Sequence, residues 1–177
     1  NYCEQVEAYK NGQNESKNLV RFNYDDKEDM FDLVSYNKGG AILHNLRSYL
    51  GDDAFFKGLN TYLTKYKYKT AEVHQLRLVF EELTGKDLNW FFNQWYFGAN
   101  HPNIEISYDY NTLQKTVTVN IIQLQSETFQ FPFAIDIFEG TNRTRHHVFV
   151  EGNDASFTFP YNKQPSLIQI NADNILI

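Results

Sequence analysis

Proline is absent from the first 101 residues of this chain, and Pro102, Pro132, Pro160 and Pro165 all follow. Proline breaks helix interiors, so a proline-free stretch of that length leaves room for consecutive helices. At the same place the apolar period changes from about 3.6 residues to 2. Together the two shifts predict an α+β chain of two domains. Residues 1–100 form an all-α half and residues 101–177 an antiparallel β-sandwich, with the boundary between Gly98 and Pro102.

In the first half the strongest helical pattern is VSYNKGGAILHNLRSYL, residues 34–50. Asp32 or Ser35 can cap it, and Ile42, Leu43, Leu46 and Leu50 fall on one stripe. Gly39 and Gly40 each cost about 1 kcal/mol in a helix relative to alanine. Their expected use is steric, admitting another backbone close to the first turn. Tyr36 then stands at the rim of a packed surface. A second helix opens at Asp52 or Asp53 with Phe55, Leu59, Tyr62, Leu63 and Tyr66 inward. A third is capped by Thr70, carries Val73, Leu76, Phe80 and Leu83 inward and stops at Gly85. A fourth is capped by Asp87 and sends Trp90, Phe91 and Trp95 into the core. Residues 2–10 read as the tail of an earlier helix and 11–30 as a long polar loop.

From Asn103 the pattern alternates. Ile104, Ile106 and Tyr108 share one face, as do Val117, Val119 and Ile121, and Phe131, Phe133, Ile135 and Ile137. Further strands are expected near 143–150, 155–159 and 166–171, with a short one at 174–177. Short strands with turns at this spacing suit a sandwich.

Composition removes several functions. A net charge of −6 argues against nucleic acid as a partner. Lys65, Lys67 and Lys69, interleaved with tyrosines, fall at a helix C-terminus, where cations are favourable without any ligand. No apolar run approaches the roughly 20 residues that span a bilayer. Cys3 is the single cysteine, so no intrachain disulfide forms. The acidic run Asp25, Asp26, Glu28, Asp29 and Asp32 lacks the glycine and distal glutamate of a calcium loop, and reads as a solvated loop. His44, His74, His101, His146 and His147 show no helical metal-ligand spacing, and His146 and His147 face opposite sides of a strand. Motifs alone supply no self-sufficient active site.

A set of ordered motifs carries a resemblance. Tyr36-Asn37-Lys38-Gly39-Gly40-Ala41, then Leu50-Gly51-Asp52 with Phe55, are followed by Leu83-Thr84-Gly85-Lys86-Asp87-Leu88. Trp90-Phe91-Phe92-Asn93-Gln94-Trp95 and His101-Pro102 complete the set. In these the chain resembles the aminopeptidase N family of zinc metallopeptidases, from about residue 25 onward. The family's zinc motif, His-Glu-x-x-His, has no counterpart, because no histidine here precedes a glutamate.

The resemblance implies the C-terminal piece of a larger enzyme: the rear of a thermolysin-like catalytic domain and the sandwich after it. The parent would be a zinc aminopeptidase acting on peptides. Its zinc and general base would lie upstream, so this piece alone would bind no metal and be inactive. Tyr36 matches the family tyrosine that donates a hydrogen bond to the oxyanion of the tetrahedral intermediate. A phenol can donate to developing negative charge, so the chemistry is sound. Read without the resemblance, Tyr36 is a core tyrosine at a helix start. Lys38 is expected to be a cation at the rim. Asn100 stands where the family carries glycine, and asparagine tolerates the left-handed conformation such a turn needs. His101 would support the turn between domains. A second reading, a non-catalytic sandwich presenting aromatic residues to carbohydrate or protein, draws on fifteen Phe and twelve Tyr.

Overall fold

The computed structural model describes residues 16–176, so Cys3 and the helix expected over residues 2–10 lie outside it. The chain divides into two compact units, one running to Asn100 and the other from His101 to Leu176.

The helical unit contains α1 (Gly39–Leu50), α2 (Asp52–Lys65), α3 (Val73–Thr84) and α4 (Asn89–Phe92). Two π turns, Val34–Lys38 and Asn93–Phe97, precede α1 and follow α4. Ala41, Ile42 and Leu46 bury one stripe of α1, and Phe91, Phe92 and Trp95 fill the core beside α4. Gly51, at φ 83°, ends α1 and opens α2. Asp52 does not cap α2; its carboxylate takes both arms of Arg47, at 2.8 and 2.9 Å.

Three other expectations change. The cap of α3 is Glu72 rather than Thr70, because Glu72 and Gln75 form a reciprocal capping box that satisfies two free N–H groups. Leu63 is two-thirds exposed rather than inward, although Phe55 on the same helix is buried. Neither Gly39 nor Gly40 admits a backbone. A Cβ on Gly39 would meet the Leu19 side chain at an ordinary 3.5 Å, and one on Gly40 would meet nothing. The glycine that allows close approach is Gly58 on α2, where a Cβ would lie 2.3 Å from the Phe80 ring of α3. Phe80 in turn stacks on Phe55 at 5.8 Å.

Within the polar loop, a 3-10 turn at Lys27–Met30 is capped by the Asp26 carboxylate. The basic side chains after α2 are engaged locally. Lys65 pairs with Glu82 at 3.6 Å, and Lys67 lies over the Tyr68 ring at 4.9 Å.

The second unit holds six strands: β1 (Ile104–Asn111), β2 (Thr116–Gln123), β3 (Phe131–Glu139), β4 (Asn142–Val150), β5 (Asp154–Pro160) and β6 (Leu167–Ile170). They form two three-stranded antiparallel sheets, ordered β1-β2-β5 and β4-β3-β6. Val117, Val119 and Ile121 of one sheet and Phe131, Phe133, Ile135 and Ile137 of the other are buried. His146 of β4 stacks on Phe159 of β5 at 3.9 Å, joining the sheets. Its Nε2 also meets the Tyr161 hydroxyl at 2.8 Å. Residues 174–176 are not a strand. The Asn171 side chain accepts from the N–H groups of Ile175 and Leu176, taking the bonds a ladder would need.

Candidate functional site

Tyr36 lies in the middle of the first π turn. Gly39 N–H reaches back five residues to the Val34 carbonyl, one residue wider than an α turn. Such single-turn widenings recur at functional sites, because they re-aim a side chain without breaking the helix. Val34 and Lys38, at the ends of the turn, point into the core, while Tyr36 is 59% exposed. Its ring meets Phe31 edge-on at 4.8 Å. Among the described residues no group engages its hydroxyl. Phe31, Asp32, Leu33, Tyr36 and Asn37 line a shallow, mainly apolar cavity of about 360 Å³. Phe31 and Leu33 are themselves exposed, so the rim carries an apolar surface around the phenol.

The segment ahead of the turn is pinned by an ion pair. Arg21 grips Asp32 with two nitrogens, at 2.6 and 3.1 Å, and also donates to Ser35 Oγ at 3.2 Å. Asp32 in turn accepts from the Ser35 N–H at 2.9 Å, and Ser35 Oγ donates to the Met30 carbonyl. Asp32, one of the two expected caps, thus caps the turn, and it is paired with Arg21 rather than solvated. Partial burial pushes its carboxyl pKa up; the hydrogen bonds from Arg21 and Ser35 and the Arg21 charge outweigh this and hold it below the usual value. Arg21 sits in a stretch with no periodicity, so only the structure brings it to the site.

Lys38 corrects the expectation of a rim cation. It is 1% exposed, and its Nζ donates to the carbonyls of Lys17 at 3.3 Å and Gly98 at 3.4 Å. Burial lowers its pKa to about 8. Asn100 adopts φ 65°, the left-handed conformation expected of it.

No group of three His, Cys, Asp or Glu among the described residues could hold a metal ion. No helix among these residues is long and apolar enough to cross a membrane.

The chain is similar to several known proteins. The peptidase family M1 domain matches residues 3–95. The alanine/arginine aminopeptidase of Saccharomyces cerevisiae is 26% identical over 155 residues, covering 85% of this chain and 18% of that protein. Aminopeptidase M1-C of Oryza sativa is 34% identical over 79 residues, covering 45% of this chain and 9% of that protein. In fold, the chain is similar to Legionella pneumophila aminopeptidase A, solved in complex with aspartic acid. The TM-score is 0.82 at 12% identity, over 97% of this chain and 20% of that one. This chain thus spans a fifth or less of the length of each of these proteins. Its matched residues, with the Tyr36 turn among them, place it in peptidase family M1.

Proposed function

We propose that this chain is part of a longer aminopeptidase that removes N-terminal residues from peptides, and that Tyr36 stabilises the oxyanion. The helical unit would be the rear of the catalytic domain and the two-sheet unit the β-sandwich that follows it. The zinc ion of such an enzyme would be held by residues outside the described part of this chain. The observation that carries the reading is the exposed phenol on a π turn, its hydroxyl unengaged among the described residues, within a family of peptidases. A donor held in place before the reaction stabilises charge that develops only in the transition state.

The binding-module reading needs an aromatic platform on the sheets. Phe131 and Phe133 are buried, and Tyr108 is the one strongly exposed aromatic among the described residues of that unit. The other aromatics of that unit are buried or half-buried.

Replacing Tyr36 with Phe in the full-length enzyme tests the role. Loss of one oxyanion donor lowers kcat by about 10²–10³-fold, with KM little changed. Steady-state kinetics and a thermal melt on the same variant check it. A kcat within a few-fold of the parent, with lowered stability, would mean that Tyr36 is structural.

A further inference from the structure

Lys38 is two residues from Tyr36 and its side chain runs the opposite way, into the core. The two carbonyls it reaches belong to different segments. Gly98 directly follows the second π turn, and Lys17 precedes a strap that is itself bonded to that turn, Val20 N–H to the Tyr96 carbonyl at 2.9 Å. One ammonium therefore joins the turn that carries Tyr36 to the end of the turn at Asn93–Phe97. The Gly98 acceptor has little freedom to move. A Cβ there would lie 2.4 Å from the Gln94 carbonyl oxygen, so its backbone is packed directly against the turn.

Stability alone is a poor reason for this arrangement. A desolvated ammonium is costly to bury, and a long apolar side chain would fill the same space without that cost. What the ammonium adds is direction: donors aimed at fixed carbonyls hold the last residue of a wide, irregular turn in one rotation. The regular i−4 ladder cannot do so there, because the π turn interrupts it. Rotation of that turn is what decides where the Tyr36 hydroxyl points.

We propose that Lys38 is a positioning residue, whose buried ammonium locks the Val34–Lys38 turn to the Lys17 and Gly98 carbonyls and so fixes the aim of Tyr36. The inference rests on the oxyanion role proposed for Tyr36. It predicts an effect on turnover that passes through Tyr36 and through nothing else.

A double-mutant cycle in the full-length enzyme reads this directly, with Lys38→Met and Tyr36→Phe made singly and together. Misplacing a catalytic group by about 1 Å can cost on the order of 10²-fold, so Lys38→Met should lower kcat roughly 10- to 100-fold, with KM little changed. In the Tyr36→Phe background the same substitution should change kcat by less than about twofold, because the donor it positions is already gone. Equal losses in both backgrounds would overturn the positioning role while leaving the oxyanion role standing. An unchanged kcat in Tyr36→Phe itself would overturn the oxyanion role, and the positioning role with it. Should Lys38→Met not fold, Lys38→Gln, which keeps a shorter donor, takes its place in the cycle. Failure of both to fold would make Lys38 a structural residue and overturn the proposal.

Discussion

Lys38 in the helical unit and Asp136 in the sheet unit are both charged side chains at 1% exposure, and the fold treats them differently. Asp136 sits on β3 directly opposite Arg145 of β4, which grips it with two nitrogens at 2.7 Å each. Arg143 approaches to 3.7 Å, and Asp173 holds the other side of the Arg145 guanidinium. Hydrogen bonds from Arg145 outweigh burial and keep the Asp136 carboxyl below the ordinary range. The same bonds, with those to Asp173, raise the pKa of Arg145. Lys38 has two backbone carbonyls among its partners, and burial moves its pKa toward loss of the charge. A charge matched by charge behaves as a structural lock. A charge held against carbonyls costs stability, and that difference directs attention to the turn beside Tyr36 rather than to the more elaborate network.

The comparison breaks most readily at Asp136. Asp136→Ala strands Arg145 with Asp173 as its remaining carboxylate and should cost about 3–5 kcal/mol, the usual penalty for removing one member of a buried pair. Chemical denaturation measures it, and a loss below about 1 kcal/mol would mean that the pair is not a lock. The acid limb follows from the same residue. Its folded pKa lies below its unfolded value, so its stabilisation is present above pH 3.8 and disappears as pH falls through the folded pKa.

Lys38 should give the reverse pH signature, and on the alkaline side. Its folded pKa, about 8, lies below its unfolded value of 10.5. Between these values the unfolded chain holds the proton and the folded chain does not, so stability rises with pH. Measured against Lys38→Met, the parent chain should gain up to about 3 kcal/mol from pH 8 to 10.5. A flat difference across that window would mean that the ammonium is well compensated, and the contrast with Asp136 would vanish. The smallest effect belongs to Arg143, more than half exposed and 3.7 Å from its partner. Arg143→Ala should shift stability by less than about 0.5 kcal/mol, as exposed pairs do. A larger loss would show that the network depends on all its members.

Much of this architecture was legible in residue order. The change of period and the proline distribution separated helices from strands, since both are local properties of the chain. The inward stripes of α1, β2 and β3 followed from the same periodicities, and the Asn100 turn from what asparagine tolerates. What escaped were contacts between residues distant in sequence. Lys38 lies in a motif full of polar residues, and nothing local indicates that its stem runs inward to Lys17 and Gly98. Nothing local to Gly58 indicates that the Phe80 ring lies against it. Asp136 offered one signal, an acid inside the alternating run from Phe131 to Ile137 with Arg145 across the hairpin. Thr70 misled because a good capping residue stood two positions before a better capping box.

The extra residue in the Val34–Lys38 turn makes chain length at this point as consequential as side-chain chemistry. Deleting Asn37 would let an uninterrupted α-helix run through the turn, a more regular and more easily formed element. It would also swing Tyr36 around the helix axis by roughly 100°, the angular step of one residue. Such a variant could fold at least as well as the parent and still present its phenol to the wrong side. On the role proposed for Tyr36, a one-residue gap between Asp32 and Gly39 in a related sequence would mark loss of the reaction even where Tyr36 and Lys38 are retained.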